Sequence, residues 1–66
     1  MGREELDALE ATARTASGLT DEEAPRVSCR RGTDGETDFH FFGPPPGSAL
    51  LSHVVVDSDG NATVEQ

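Results

Sequence analysis

The chain contains no lysine, tryptophan or tyrosine, and its single cysteine is Cys29. One cysteine cannot form an internal disulfide, so packing and hydrogen bonds must hold the fold together. The sequence also lacks an apolar leader and a run of about 20 apolar residues, which a membrane-spanning helix requires. These absences predict a soluble, cytoplasmic protein that does not associate with membranes.

Carboxylates dominate the charged residues. Thirteen Asp and Glu face five Arg, which gives a formal net charge of −8 at neutral pH. Lysine is normally among the commonest residues, and an excess of carboxylates without lysine resembles the composition of proteins from salt-loving archaea. Concentrated salt shortens the Debye length from about 30 Å at 0.01 M to about 3 Å at 1 M and so screens repulsion between carboxylates. The composition therefore predicts an acidic protein of a halophile, surrounded by non-specifically bound salt cations.

Residues 3–17 are predicted to form an amphipathic helix that ends at Gly18, because glycine is the usual residue in a left-handed C-terminal cap. Apolar residues recur at spacings of three and four and form one stripe: Leu6, Leu9, Ala13 and Ala16. Thr20 and Glu23 then have the spacing of a capping box, and Pro25 limits the segment that follows to about one helical turn.

From residue 26 onward the apolar period changes to two, which predicts strands over about 26–31, 37–42, 50–57 and 61–65. Asp34 and Gly35 favour a type I′ hairpin turn, in which both central residues have positive φ. The three prolines within 43–48 predict an extended connector that carries the chain around an edge of the sheet. The resulting fold class is α+β: a single small domain, 1–66, with the N-terminal helix packed on one face of a three- to four-stranded antiparallel sheet.

One helix can cover only one face of such a sheet, so the other face is predicted to be the functional surface. Alternation along the strands places Cys29 on the helix side as a small buried residue. The uncovered face combines apolar residues with polar neighbours: Phe42, Leu51, His53 and Val55, with His40 and Arg30 beside them. An exposed apolar patch usually marks an interaction surface. We therefore expect a non-enzymatic interaction or regulatory protein that acts as a homodimer or with another protein.

Nucleic-acid binding is the first alternative, because Arg26, Arg30 and Arg31 lie in one predicted strand. Contacts to phosphates weaken steeply with salt, and this argues against them in an acidic protein of a halophile. Enzyme activity is not expected, since the sequence has no serine-hydrolase elbow and no glycine-rich phosphate loop. No cofactor is expected either.

Weak cation binding is the second alternative. Asp57, Asp59 and Asn61 match the first three ligand positions of a calcium loop, but Ala62 replaces the required glycine and the chain has no glutamate at the twelfth position. A hairpin turn explains the same residues better, so no specific metal site is predicted.

The excess of carboxylates predicts that folding depends on salt, and this dependence can be tested directly. We expect the protein to be folded in about 1 M salt and to unfold reversibly at about 0.01 M, where its carboxylates are poorly screened. Circular dichroism during dialysis between the two conditions, with sucrose as an uncharged control, measures this dependence. Equal urea midpoints in both salts would identify an ordinary acidic protein.

Overall fold

A computed structural model of the chain describes residues 3–65. The elements are one helix and four strands: α1 (Arg3–Ser17), β1 (Arg26–Arg31), β2 (Thr37–Phe42), β3 (Leu50–Val56) and β4 (Ala62–Val64). The strands form one antiparallel sheet in the order β1-β2-β3-β4, with α1 on one face. The predicted fold class is confirmed, although β3 ends one residue earlier and β4 is shorter than expected. Within residues 3–65, no helix is both long and apolar enough to cross a bilayer.

The core lies between α1 and the inner face of the sheet, which we define as the face that α1 covers. Its fully buried residues come from the helix, the loop after it and alternate positions of β2 and β3: Ala13, Ala24, Phe39, Phe41, Val54 and Val56. Leu9 and Leu19 pack against this cluster. The predicted helix stripe is correct at Leu9 and Ala13 but wrong at Ala16, which is exposed. After the helix, Ala24 of the loop joins the core and Leu19 packs against it.

Side-chain contacts of Arg14 connect the loop over residues 18–25 to the helix. Its Nη1 donates hydrogen bonds to the carbonyls of Thr20 (3.2 Å) and Ala24 (3.1 Å), and its Nε lies 3.2 Å from Oδ1 of Asp21. The guanidinium carbon lies 5.0 Å from the centre of the Phe41 ring, within the range of a cation–π interaction. The guanidinium group of Arg14 therefore connects the helix, the loop and Phe41 of the core.

The ends of this loop match the sequence prediction. Gly18 has φ of +75°, and its amide donates to the Arg14 carbonyl at 3.0 Å, as in a left-handed C-terminal cap. The capping box is also present: the Thr20 amide donates to Oε1 of Glu23, and the Glu23 amide donates to Oγ1 of Thr20.

Two hairpins close with the same kind of loop. The Gly32 amide donates to the Glu36 carbonyl (2.8 Å), and the Asp57 amide donates to the Asn61 carbonyl (2.9 Å). Each pair encloses three residues, of which only the glycine has positive φ: Gly35 in the first loop and Gly60 in the second. The predicted hairpins are confirmed, but the type I′ turn at Asp34 is wrong. A three-residue loop needs a left-handed residue only at its last position.

The proline-rich segment is a hairpin loop between adjacent strands, so the prediction of an extended connector around the sheet edge is wrong. The Gly43 amide donates to the Ala49 carbonyl (2.9 Å), and the Ser48 amide donates to the Pro44 carbonyl (3.1 Å). The peptide bond between Pro45 and Pro46 is cis. Prolines restrict φ in tight turns as well as in extended chain, and here they form a turn that joins β2 to β3.

The helix leaves β1 uncovered. It packs mainly on β3 and β4 and reaches β2, but it does not contact β1. A helix about 10 Å wide covers roughly two strands that lie about 4.8 Å apart. Cys29 is opposite the buried Phe39 and therefore lies on the inner face as predicted, yet it is exposed. Its predicted burial is wrong because alternation specifies the face of a residue and does not specify how far the helix extends.

Replacing Arg14 by methionine tests the role of its guanidinium. We expect a loss of about 1–3 kcal/mol in the free energy of unfolding, because two carbonyls lose their donor and Phe41 loses its cation. Chemical denaturation measures the loss, and Arg3→Met at the exposed start of α1 is the matched control, with an expected change below about 0.5 kcal/mol. Equal stabilities of the two variants would contradict this role.

Candidate interaction face

The uncovered face of the sheet, which we call the outer face, is organised in three rows across the strands. Paired residues of neighbouring antiparallel strands point to the same side. The register gives these rows: Ser28, His40 and His53; Arg30, Asp38, Val55 and Thr63; Arg26, Phe42 and Leu50. Five of the six residues predicted for the interaction surface stand in these rows, and the sixth, Leu51, lies beside them.

A stacked histidine pair occupies the middle row. The rings of His40 and His53 have centroids 4.2 Å apart and are inclined by 10°. The carbonyl of His53 accepts a hydrogen bond from the Glu65 amide on the β4 side (2.7 Å) and therefore points away from β2. His40 and His53 thus form a pair of the type that has no hydrogen bonds between its two backbones. Pairs of this type have the shorter Cα separation, about 4.5 Å. The register therefore brings the two imidazoles into contact.

Asp38 adds a carboxylate to this pair. Its Oδ1 lies 3.5 Å from Nε2 of His53, which is an ion-pair distance when the imidazole is protonated and is too long for a well-formed hydrogen bond. The Nε2 atom is buried and has no hydrogen-bond partner within residues 3–65. Asp38 is not among the residues predicted for this face, although its position two residues before His40 already placed both side chains on one face of β2.

Apolar side chains surround the histidines. Phe42 and Val55 are half-buried, and Leu50 is 39% exposed. The register shifts beside Phe42, which pairs with Leu50, so Leu51 forms a bulge and stands outside the rows with 43% of its surface exposed. Sequence reasoning missed Leu50 because strict alternation cannot locate a bulge. The apolar surface is thus one residue larger at this end than predicted.

The carboxylates of the chain lie almost entirely outside the sheet. Of the 13 Asp and Glu residues, Asp38 alone lies within the four strands. The others belong to α1, to the loop after it, to the two three-residue hairpins and to the segment after β4. Arg30 stands opposite Asp38 in the register, so this row also contains a positive charge. The outer face is therefore the part of this acidic molecule with little negative charge.

The arginines of the nucleic-acid alternative do not share one face. Arg26 and Arg30 lie in rows of the outer face, whereas alternation places Arg31 on the inner side. Phe39 and Phe41 are fully buried beneath α1, which leaves Phe42 as the aromatic residue of this face. Binding of single-stranded nucleic acid usually combines a basic groove with several stacking aromatics. This geometry does not supply that combination.

The residues of the cation alternative build the loop between β3 and β4. Oδ1 of Asp57 accepts hydrogen bonds from the amides of Asp59 and Asn61, both at 2.9 Å. An open cavity of about 350 Å³ separates this loop from Glu5 and Arg31. In the part of the chain that the structure describes, no group of three His, Cys, Asp or Glu side chains is arranged to hold a metal ion.

These hydrogen bonds make the loop sensitive to pH. The Asn61 amide, assisted by those of Asp59 and Gly60, lowers the pKa of the Asp57 carboxyl below its ordinary value of 3.8 and outweighs the opposing effect of desolvation. A carboxyl whose pKa is lower in the folded state stabilises the fold above its unfolded pKa. That contribution is lost as the pH falls through the folded pKa.

We therefore expect Asp57→Asn to lower the thermal midpoint above pH 3.8 and to have a diminishing effect as the pH falls further. Thermal unfolding of the variant and the unmodified chain across this range measures the difference. Asp59→Asn is the matched control, because the amide hydrogen bonds of this loop go to the side chain of Asp57 and not to that of Asp59. A pH-independent difference for Asp57→Asn would refute the role of its ionised form.

Comparison with known proteins identifies no relative. No family model, no curated protein and no solved structure matches the chain.

Proposed function

We propose that the protein is a non-enzymatic interaction module that pairs with a second copy of itself through the outer face. The observation that carries this proposal is the stacked pair of His40 and His53, surrounded by Phe42 and Val55 on a face that α1 does not cover. Aromatic and aliphatic side chains at the centre of a face, with charged residues toward its border, are typical of protein interfaces.

The charge distribution favours a second copy as the partner. Two molecules that each carry a charge of −8 repel one another over most of their surfaces. The outer face holds one strand carboxylate, Asp38, together with Arg26 and Arg30. When two copies meet through this face, their helices, loops and remaining carboxylates point away from each other.

The small size of the chain supports the same conclusion. A chain of 66 residues buries only about 60% of its unfolded surface. Association that covers Phe42 and Val55 would add apolar burial that the thin core cannot supply, and it would couple folding to dimer formation. Concentrated salt screens the residual repulsion and strengthens apolar contacts, so it should favour the dimer.

A charge placed on the outer face tests the proposal. We expect Val55→Glu to weaken dimerisation by roughly tenfold or more, because it buries an unpaired carboxylate in the interface. Sedimentation over a series of protein concentrations in about 1 M salt measures the change. Circular dichroism shows whether each variant remains folded.

The matched control is Val64→Glu, the same substitution on the inner side of edge strand β4, where Val64 is 47% exposed. It adds the same charge to the chain and should leave dimerisation nearly unchanged. A wild-type chain that remains monomeric at all concentrations would overturn the proposal. So would equal weakening by both substitutions, since that would locate the effect in net charge and not in the outer face.

A further inference from the structure

The free edge of β1 is a second surface of the molecule, which adjoins the outer face at Arg26 and Arg30 and adds the outward backbone groups of the strand. β1 is the first strand of the sheet and pairs only with β2 within residues 3–65. The helix does not contact it, and every residue of β1 is exposed except Val27, which is half-buried. A long, open strand edge is a template for pairing with another extended segment.

The hydrogen-bond pattern identifies which backbone groups point outward. The bond from the Gly32 amide to the Glu36 carbonyl marks that pair as hydrogen-bonded. Pairs alternate along an antiparallel ladder, so Arg26, Ser28 and Arg30 bond to β2. The amides and carbonyls of Val27 and Cys29 therefore point away from the sheet. An added strand would meet two donors and two acceptors with the spacing of a β-ladder.

The side chains along this edge select the charge of an incoming segment. β1 contains three of the five arginines of the chain and no carboxylate. Arg26 and Arg30 stand on the outer side of the strand, four residues apart, and neither forms an ion pair within residues 3–65. An extended segment with carboxylates at alternate positions would place them opposite these two guanidinium groups, and such cross-strand pairs are stabilising.

A second copy of β1 does not suit this edge. Antiparallel pairing of two β1 strands brings the arginines of one copy beside those of the other, and like charges opposite each other destabilise a strand pair. We infer that the β1 edge binds an acidic, extended segment of another protein, which joins the sheet as a fifth strand through the backbone of Val27 and Cys29. This inference goes beyond the proposed dimer, because pairing through the outer face leaves the strand edge free.

The probe is a short blocked peptide in which glutamate alternates with valine. At saturating peptide we expect slower hydrogen exchange of the Val27 and Cys29 amides, measured by nuclear magnetic resonance in about 1 M salt. The R26Q/R30Q double variant should bind roughly tenfold more weakly, since it loses two cross-strand charge pairs. The Val55→Glu variant should bind the peptide normally, so failure of the dimer and failure of this inference give different results.

Two control peptides separate backbone pairing from charge alone. A peptide with lysine in place of glutamate should not bind. The glutamate peptide with N-methylated valines should not pair with β1 and so should not protect the two amides, because its methylated nitrogens cannot donate to the carbonyls of Val27 and Cys29 and its methyl groups keep the strands apart. Unchanged exchange at Val27 and Cys29 with the unmodified peptide, or equal binding of the lysine peptide, would overturn the inference. Binding of oligothymidylate in place of the peptide would also overturn it and would favour nucleic acid as the partner of β1.

Discussion

The width of α1 relative to the sheet determines which surfaces of this protein are buried. A single helix covers about two strands of a four-stranded sheet, and here it lies over β3 and β4 and reaches β2. The inner positions of β2 and β3 are consequently fully buried, including both Phe39 and Phe41. The same limit leaves β1 without contact to α1, with only Val27 half-buried among its residues, and leaves the entire outer face without cover. Both proposed binding surfaces follow from this one geometrical limit.

The loop over residues 18–25 partly compensates for the limited width of α1. Leu19 and Ala24 pack into the core beyond the end of the helix stripe, and Arg14 holds them there by binding carbonyls of the loop. An arginine suits this position because its guanidinium donates several hydrogen bonds and also lies over the ring of Phe41. The carboxylates that give the chain its charge lie on the helix, the loops and the segment after β4, where they remain hydrated.

The sequence predicted the elements well because each depends on local chemistry. The helix bounds followed from the apolar stripe and from Gly18, and the strands followed from alternation. The predictions that were wrong depend on long-range geometry. Alternation assigned Cys29 to the correct face, but its exposure depends on the reach of α1. The prolines indicated a restricted backbone without indicating which strands it joins.

The candidate site was predictable in its composition and not in its arrangement. Alternation placed His40, His53 and Val55 on one face, as the structure does. Their contact depends on the register between β2 and β3, which the proline-rich loop over residues 43–49 and the bulge beside Phe42 determine together. A shift of one residue in that register would have separated the imidazoles. Leu50 enters the site only through the bulge in this pairing, whereas alternation within β2 already placed Asp38 on the same face as His40.

Every strand of this sheet pairs with the strand next to it in the chain. The contacts of the sheet are therefore local in sequence, and proteins with low contact order fold quickly because little entropy is lost in closing each hairpin. The two three-residue loops meet at one end of the sheet, where the Cβ position of Gly35 would lie 3.5 Å from Cβ of Ser58. The order of the strands along the chain thus lets each hairpin close without bringing distant segments together first.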